Sequence, residues 1–438
     1  MRRLLATLAM VVLAIGGLAV APADADDTIR TQWYTAPTGL DELKARGLDG
    51  TGVTIAIIDG PIDTSVPELV GADITVNDPC GAPTAPAEAA HATRVASILA
   101  SPDFGWAPKA KYLNYVLPLS DDVPEACQTG FVNSTGSLIN QAVRDGADII
   151  SIQVVDDPAP GDPFAISNAA LHKVPVVIAA GSDSEVEWRM SVLNYTVGVA
   201  SSGNDGQHLA SNNHGPALTL LAPGVDIMGR RPDESGALTL VDAAQGTSFA
   251  APMVTGAIAL AMQQHPDADP DQLLHALAAT AARYGDEWNE MIGWGRLDAV
   301  ALVNADPRTF PTGNPFADKN PGGEPSPEQV ADYRDGLVDP TWLYGDNDYV
   351  YRGDDTILCK FALNCELGTS PRYATLSPHP SVSAASFPPA TDSEPASDAA
   401  EPGAALAIGL VGGVVIVGPV AFLVIRRKRS NVAETSRD

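Results

Sequence analysis

The sequence predicts an α/β fold with a mostly parallel central sheet and helices on both faces. The first observation is a series of short apolar runs, rich in β-branched residues, between Gly52 and Asn304: "VTIAIID", "KYLNYVL", "ADIISIQVV", "VPVVIAAG", "YTVGVAS" and "ALTLLAPG". The second is that helical patterns such as "GSLINQAVRDG" and "FAISNAALHK" separate several of these runs. Apolar strands that alternate with helices are typical of a parallel sheet buried on both sides.

The first 25 residues have the layout of a secretory signal peptide. Two arginines precede an apolar run from Leu4 to Val20, and small residues follow it in the order that signal peptidases cleave. We expect cleavage after Ala23 or Ala25, and a folded domain over residues 26–305. That domain would lie outside the cytoplasm.

Beyond residue 305 the composition changes three times. Residues 306–335 are rich in Pro, Gly and Glu, which predicts a linker. Residues 336–369 carry aromatic side chains and two close cysteines, and they predict a small disulfide-tied segment. Residues 370–403, rich in Pro, Ser and Ala, are too polar to pack a core and predict a disordered stalk.

The C-terminal region predicts a membrane anchor. Residues 404–425 carry no charge and would form a helix roughly 33 Å long, against about 30 Å for a hydrocarbon core. The tail 426–438 begins with the basic cluster "RRKRS", which favours the cytoplasmic side. We expect a single-pass type I protein of the cell membrane; the alternative for residues 404–425 is a buried core helix.

Composition limits the partners and the chemistry. The net charge of −28, from 54 acidic and 26 basic side chains, argues against a nucleic-acid partner. Four cysteines are an even number, as expected in an oxidising compartment, and three pairings are open. We favour Cys80 with Cys127 and Cys359 with Cys365. The spacing of His and Cys residues suggests no metal site.

Three stretches carry residues able to do chemistry, and each has a structural alternative. Asp59 ends the apolar run "VTIAIID", at the sheet edge where α/β proteins place their sites, although such an Asp commonly forms a turn. His91 opens the helical pattern "HATRVASILA", where a lone His is more often structural. Ser248 opens the small-residue helix "GTSFAAPMVTGAIALAM", where it could be a nucleophile or an N-cap.

The order Asp59, His91, Ser248 changes the interpretation of all three, because Asp, His and Ser follow in this order in subtilisin. Over residues 32–304 the chain resembles the subtilisin-like serine peptidases, in phrases such as "GTGVTIAIIDGPID", "LAPGVDIMG" and "GTSFAAPMVTGAIAL". The resemblance implies that Ser248 attacks a peptide carbonyl, His91 transfers the proton, and Asp59 orients the imidazole. It also allows structural calcium, for which we assign no residues; we expect no other cofactor.

The chain departs from the family pattern in four places. The usual Asp-Thr-Gly reads "DGP", similar to the cyanobactin-maturation branch, and His-Gly-Thr-His ends in Arg94 instead of its second histidine. Ser182 stands where the family has the oxyanion-binding Asn, a donor whose loss costs on the order of 10²–10³ in kcat. The Ser-Leu-Gly-Gly of the substrate strand reads Gln153, Val154, Val155, Asp156, which predicts a reshaped pocket and a narrow specificity.

Signal peptide, peptidase domain, linker, span and basic tail together resemble the membrane-anchored mycosins of type VII secretion. We therefore expect an extracytoplasmic serine endopeptidase that acts on protein or peptide substrates, with secretion-system components as further partners. Two alternatives stay open. One is an inactive scaffold of a secretion complex, favoured by the altered oxyanion and pocket residues; the other is a maturation protease for a peptide precursor, favoured by "DGP".

Overall fold

The computed structural model describes residues 28–118, 124, 134–154, 157–184, 190–216, 218–283 and 287–372, all within one compact unit. The predicted signal peptide, the span at 404–425, the tail at 426–438 and all but the first residues of the stalk lie outside these ranges. Within them, no helix is both long and apolar enough to cross a membrane.

Seven parallel strands form the central sheet, in the order β2-β3-β1-β4-β5-β6-β7. Their bounds are β1 Thr54–Asp59, β2 Asp73–Asn77, β3 Lys111–Val116, β4 Ile149–Ile152, β5 Val176–Ala179, β6 Thr196–Ser202 and β7 Leu218–Pro223. An antiparallel hairpin, β8 Ile227–Arg231 with β9 Leu240–Ala244, and a short pair, β10 Val350–Tyr351 with β11 Asn364–Cys365, complete the strands of the described residues.

The α-helices of the described residues are α1 Leu40–Ala45, α2 Pro86–Ala100, α3 Thr135–Arg144, α4 Asp162–Leu171, α5 Thr247–Gln264, α6 Pro270–Thr280, α7 Ala299–Asn304 and α8 Pro327–Asp335. They cover both faces of the sheet. Along β1, Ile55 and Ile57 join the core formed with α2 and α5, whereas Ala56 and Ile58 join the core formed with α3 and α4. This two-sided burial explains the uninterrupted apolar runs of the sequence.

The predicted α/β class is confirmed, and each of the six apolar runs contains one strand of the sheet. The strand β2 was not predicted. It lies at the sheet edge, and its sequence "DITVN" is exposed or half-buried throughout, so it lacks the apolar character that marks the inner strands. The hairpin β8–β9 was also missed, for the same reason in β9, where no residue is buried.

Residues 306–335, for which the composition predicts a linker, pack against the domain in this structure. The backbone N–H of Tyr195 donates to the carbonyl of Phe316 at 2.7 Å, and Lys319 donates to the carbonyl of Ser191 at 2.7 Å. The side chain of Phe316 is buried, and α8 lies against α4. Proline and glycine here shape an ordered strap, since its polar groups find partners on the domain surface.

The Cys-containing segment at 336–369 folds beside α4, where its Val338, Leu343, Tyr349 and Tyr351 form a small core together with Tyr333 of α8. The ring of Trp342 meets Phe164 of α4 edge-on at 6.3 Å between centroids. Cys359 and Cys365 form a disulfide. Cys80 is also disulfide-bonded, and its predicted partner, Cys127, lies outside the described residues.

Candidate active site

The structure brings Asp59, His91 and Ser248 to one edge of the sheet. Asp59 is the last residue of β1, His91 lies in the second turn of α2, and Ser248 lies in the first turn of α5. Since all three elements contribute to one core, their ends are fixed relative to each other. The three side chains thus lie at the carboxyl edge of the parallel sheet, where Asp59 was expected.

Asp59 and His91 form a tight pair. The Nδ1 atom of His91 lies 3.1 Å from Oδ1 and 3.1 Å from Oδ2 of Asp59, whose side chain is only 1% exposed. The backbone N–H of Gly60 donates to Oδ1 at 2.7 Å. The carboxylate is therefore held from two directions, and it fixes the orientation of the imidazole.

Gly60 of the unusual "DGP" has a structural role. A Cβ atom at this position would lie 2.9 Å from the carbonyl oxygen of Glu88, in the first turn of α2. The loop after Asp59 is further held by Asn114, which accepts from the N–H of Ile62 at 3.2 Å and donates to the carbonyl of Gly60 at 3.2 Å. The absence of a side chain thus lets β1 and α2 approach closely enough for Asp59 to reach His91.

The electrostatics of the pair favour a protonatable base. Burial by itself lowers the pKa of His91, but the charge of Asp59 and its hydrogen bond outweigh burial, so the pKa is raised above 6.5 despite the opposing charge of Arg94. Within the described residues, Nε2 of His91 makes no hydrogen bond. The ring also rests against Phe249, the neighbour of Ser248, at 5.5 Å between centroids.

Ser248 is held in a different hydrogen bond from the one that catalysis requires. Its hydroxyl donates to the carbonyl of Gln153 at 3.1 Å, and within the described part of the chain it makes no hydrogen bond to His91. A rotation about χ1 would redirect the hydroxyl, and catalytic hydrogen bonds are often loose before substrate binds. No sequence pattern indicates this carbonyl, because every residue supplies one.

Ser182 lies beside the start of α5, where the predicted oxyanion donor belongs. The N–H of Thr247 donates to its hydroxyl oxygen at 3.4 Å, and the N–H of Gly181 donates to the Thr247 hydroxyl at 3.0 Å. A Cβ on Gly246 would lie 3.9 Å from both the Ser182 hydroxyl and the backbone nitrogen of Ser248. The glycine therefore leaves open the space that these two groups border.

The predicted substrate segment is only partly described. Gln153 is buried and donates to Ser151 at 2.6 Å, which in turn meets Thr255 of α5 at 2.7 Å. Val154 is half-buried and packs against the core formed with α3 and α4. Val155 and Asp156 lie outside the described residues. The described half of the segment is thus tied to the nucleophile helix through a buried polar chain.

Arg94, the departure from the family histidine, forms an ion pair with Asp242 of β9 and lies over the Phe249 ring at 5.5 Å from the centroid. Burial lowers the pKa of Arg94, against the hydrogen bond and the charge of Asp242. A Cβ on Gly229 would overlap this side chain at 2.0 Å. No local sequence pattern indicates this pair, because Arg94 and Asp242 are 148 residues apart.

Arg94 and Asp242 line a cavity of about 200 Å³ beside His91, together with residues that include Ala87, Ala90 and Arg231. Two larger cavities, of about 780 and 790 Å³, lie between α3 or α4 and the C-terminal segment, away from Asp59, His91 and Ser248. We regard the small cavity as part of the site, since it alone of the three is bordered by the imidazole.

No group of three or more His, Cys, Asp or Glu side chains among the described residues is arranged to hold a metal ion. The calcium that the family resemblance allows therefore stays without assigned ligands.

Comparison with known proteins identifies relatives of the domain. A family model described as the subtilase family, Peptidase_S8, matches residues 50–295, which is more than half of the chain. Subtilisin E of Bacillus subtilis (strain 168) is 26% identical over 305 residues, covering 64% of this chain and 75% of the relative. Mycosin-1 of Mycobacterium tuberculosis (strain ATCC 25618 / H37Rv) is 28% identical over 341 residues, which cover 64% of this chain and 75% of mycosin-1.

Two solved structures are similar as well. The prenylagaramide maturation protease PagA is 26% identical with a TM-score of 0.51, covering 60% of this chain and 98% of that one. MycP1 from the ESX-1 type VII secretion system is 22% identical with a TM-score of 0.52, and the match covers 67% of this chain and 90% of MycP1. At this level of identity the similarity shows a shared fold.

Proposed function

The chain belongs to the subtilase family of serine endopeptidases, and we propose that it is a membrane-anchored, extracytoplasmic member that cleaves few protein substrates and serves protein secretion. The observation that carries the catalytic part is the buried Asp59 carboxylate bonded to Nδ1 of His91. Because the carboxylate requires a proton on Nδ1, Nε2 is left as the base.

In the first step, Ser248 leaves the carbonyl of Gln153 and turns towards Nε2 of His91. Its oxygen attacks the carbonyl carbon of a peptide bond while the imidazole takes the proton. The Ser248–Gln153 hydrogen bond is 3.1 Å long and partly buried, so breaking it costs little relative to the barrier that the reaction must cross. Substrate binding would favour the turned rotamer.

In the tetrahedral intermediate, negative charge develops on the former carbonyl oxygen. The backbone N–H of Ser248 and the hydroxyl of Ser182 border the space for it, and the amino end of α5 adds a positive dipole. Since Thr247 donates to the Ser182 oxygen, the hydroxyl proton is free to point at the oxyanion. A shorter donor than the family's Asn predicts slow turnover.

His91 then gives its proton to the leaving amine, and the C–N bond breaks to leave an acyl group on Ser248. A water molecule, deprotonated by the same imidazole, releases the acyl group. Throughout these steps Asp59 stabilises the imidazolium and stays ionised.

Narrow specificity is proposed from the substrate segment. Gln153 is fixed by the buried chain to Ser151 and Thr255, and Val154 packs into the core, so this side of the cleft has little freedom to adapt. The family's glycines would leave an open backbone here. Valine and aspartate at 155 and 156 add bulk and charge in their place.

Anchoring and the secretion role rest on sequence patterns and likeness. The signal-peptide pattern, the uncharged run at 404–425 and the basic tail support a type I anchor. The relative mycosin-1 and the structure of MycP1, described as part of a type VII secretion system, support the secretion role.

Treatment of the full chain with a fluorophosphonate, followed by mapping of the modified peptide, tests the catalytic proposal. We expect label on Ser248, lost in Ser248→Ala and reduced at least 100-fold in rate in His91→Ala, with Ser235→Ala as the matched control at an exposed hairpin serine. Absence of label from folded wild-type protein would contradict the proposal. It would favour a scaffold, consistent with the Ser248 hydroxyl pointing at Gln153.

A peptide-maturation role is the second candidate, favoured by the likeness to PagA. It predicts the same labelling but a different substrate, because cleavage would be confined to one precursor. Incubation of the chain with whole secreted protein, followed by sequencing of the new termini, separates the two.

A further inference from the structure

Residues 357–367, which we call the apolar loop, expose four large apolar side chains. Ile357 is 62% exposed, Phe361 62%, Leu363 74% and Leu367 43%. They fall within eleven residues of one another. Other exposed large apolar residues, such as Val70 and Met291, are dispersed along the chain, and single exposed residues of this kind are normal.

The inward side of the apolar loop is already filled. Leu358, Cys359, Ala362 and Cys365 pack against the small core of the C-terminal segment. The disulfide closes the loop between residues 359 and 365, so Phe361 and Leu363 project from a closed ring of chain. Because the inward positions are occupied, the four outward side chains cannot be buried by a simple rearrangement of the loop.

The apolar loop also differs in charge from the rest of the molecule. Between Ile357 and Leu363 the one charged residue is Lys360, which is exposed, whereas the whole chain carries −28. Farther along, Glu366 is paired with Arg352 at 3.2 Å. A small group of Ile, Phe and Leu side chains around a lysine is typical of segments that lie at the lipid–water interface.

The position of the apolar loop in the sequence indicates that its partner is the membrane. Leu367 lies five positions before Arg372, and the 31 residues from 373 to 403 then lead to the predicted span at 404–425. Their composition predicts a disordered stalk, and for a disordered stalk of that length the expected end-to-end distance is about 30 Å. An anchored chain therefore holds the loop near the bilayer at a high effective concentration.

We propose that the apolar loop inserts into the interfacial layer of the membrane that anchors the chain, as a second attachment point. The proposal rests on the anchoring proposed above. Phe361 and Leu363 would enter the boundary between headgroups and acyl chains, and Lys360 would extend to the phosphates. With two attachments, the catalytic domain would no longer rotate freely about its stalk.

The test uses the full chain reconstituted into phosphatidylcholine vesicles. Phe361→Trp places a reporter in the loop, and Met291→Trp places a matched reporter at another exposed apolar position, 43% exposed. Flotation with the vesicles reports anchoring by itself. Brominated lipids then quench tryptophan in the interface, and the signal of the six native tryptophans is subtracted with wild-type protein.

We expect the Phe361→Trp protein to float with the vesicles. Its added fluorescence should fall by about half with brominated lipid, because an interfacial segment lies within reach of the bromine atoms. Leu363→Glu in the same background should abolish this quenching and leave flotation unchanged. Loss of flotation in wild type would overturn the anchoring.

Flotation with no more quenching than Met291→Trp would overturn the loop proposal alone. Protection of the reporter from aqueous iodide without bromolipid quenching would overturn it too, and would assign the loop to a protein contact. The melting temperature of each variant, compared with that of wild type, verifies that the domain is folded whether or not it is catalytically active.

Discussion

The change Asp59→Asn tests the site most sharply, because the structure determines which way the new amide must face. The N–H of Gly60 donates to Oδ1 at 2.7 Å, so the amide oxygen must take that position. The amide NH₂ then occupies the place of Oδ2, 3.1 Å from Nδ1 of His91. The amide oxygen at Oδ1 and the NH₂ group then lie at the same distance from Nδ1 and compete for it, and pairing of the NH₂ donor with Nδ1 moves the imidazole proton to Nε2.

A proton on Nε2 removes the base that Ser248 needs. For serine proteases in general, such a tautomer change costs about 10⁴ in kcat, or about 5 kcal/mol of transition-state stabilisation. We expect a loss of that size in both kcat/KM on a peptide substrate and the rate of fluorophosphonate labelling. The side chains are nearly equal in volume, so the melting temperature should change by only a few degrees.

Asp59→Ala is the matched comparison, since it removes the misdirected donor along with the carboxylate. We expect it to be no slower than Asp59→Asn, although its melting temperature should fall further because the N–H of Gly60 loses its buried acceptor. If folded Asp59→Asn protein loses less than tenfold in kcat/KM and in labelling rate, the assignment of Nε2 as the base is refuted.

Three further predictions concern the site and its supports. Ser182→Asn should raise kcat on a peptide substrate about tenfold or more, because the amide reaches farther into the oxyanion space, whereas Ser182→Ala should lower kcat. An unchanged kcat in both variants would exclude Ser182 from the oxyanion site. Gly60→Ala should lower the free energy of unfolding, measured in urea, by about 1–3 kcal/mol, since its Cβ would lie 2.9 Å from the carbonyl oxygen of Glu88 in α2. Gly313→Ala is the control: no atom lies within 4 Å of its Cβ, and the free energy of unfolding should change little. Glu68→Ala should cost about 3–5 kcal/mol because it removes the carboxylate that pairs with the buried guanidinium of Arg230 at 2.9 Å, against less than about 1 kcal/mol for Glu366→Ala on the surface. Equal losses of unfolding free energy in chemical denaturation would contradict the difference in burial.

The sequence predicts most where one local pattern decides the structure. Strands β1 and β3 to β7 are mostly apolar and almost entirely buried because both sheet faces are covered, so all six were predicted. Asp59, His91 and Ser248 could be predicted because their order and the surrounding motifs are specific. Their convergence then follows from the packing of β1, α2 and α5 in one core.

What the sequence did not reveal depends on contacts between distant residues. The ion pair of Arg94 with Asp242 joins α2 to the hairpin β8–β9, and neither residue has a distinctive local pattern. The carbonyl that holds Ser248 belongs to the backbone of Gln153 and has no sequence signature. Residues 306–335 resemble a linker in composition, yet their polar groups bind the domain surface at Tyr195 and Ser191.

The pH dependence of fluorophosphonate labelling, measured on wild type and Asp59→Asn together, tests the central claim most directly. Neutral His91 is the base, so labelling should be full above its pKa and should be lost as pH falls through it. Because Asp59 raises that pKa above 6.5, we expect the wild-type midpoint above 6.5 and a lower midpoint, with a much lower plateau, in Asp59→Asn. A wild-type rate that does not vary with pH, or a midpoint that the substitution leaves unchanged, would show that His91 does not act as the base under the control of Asp59.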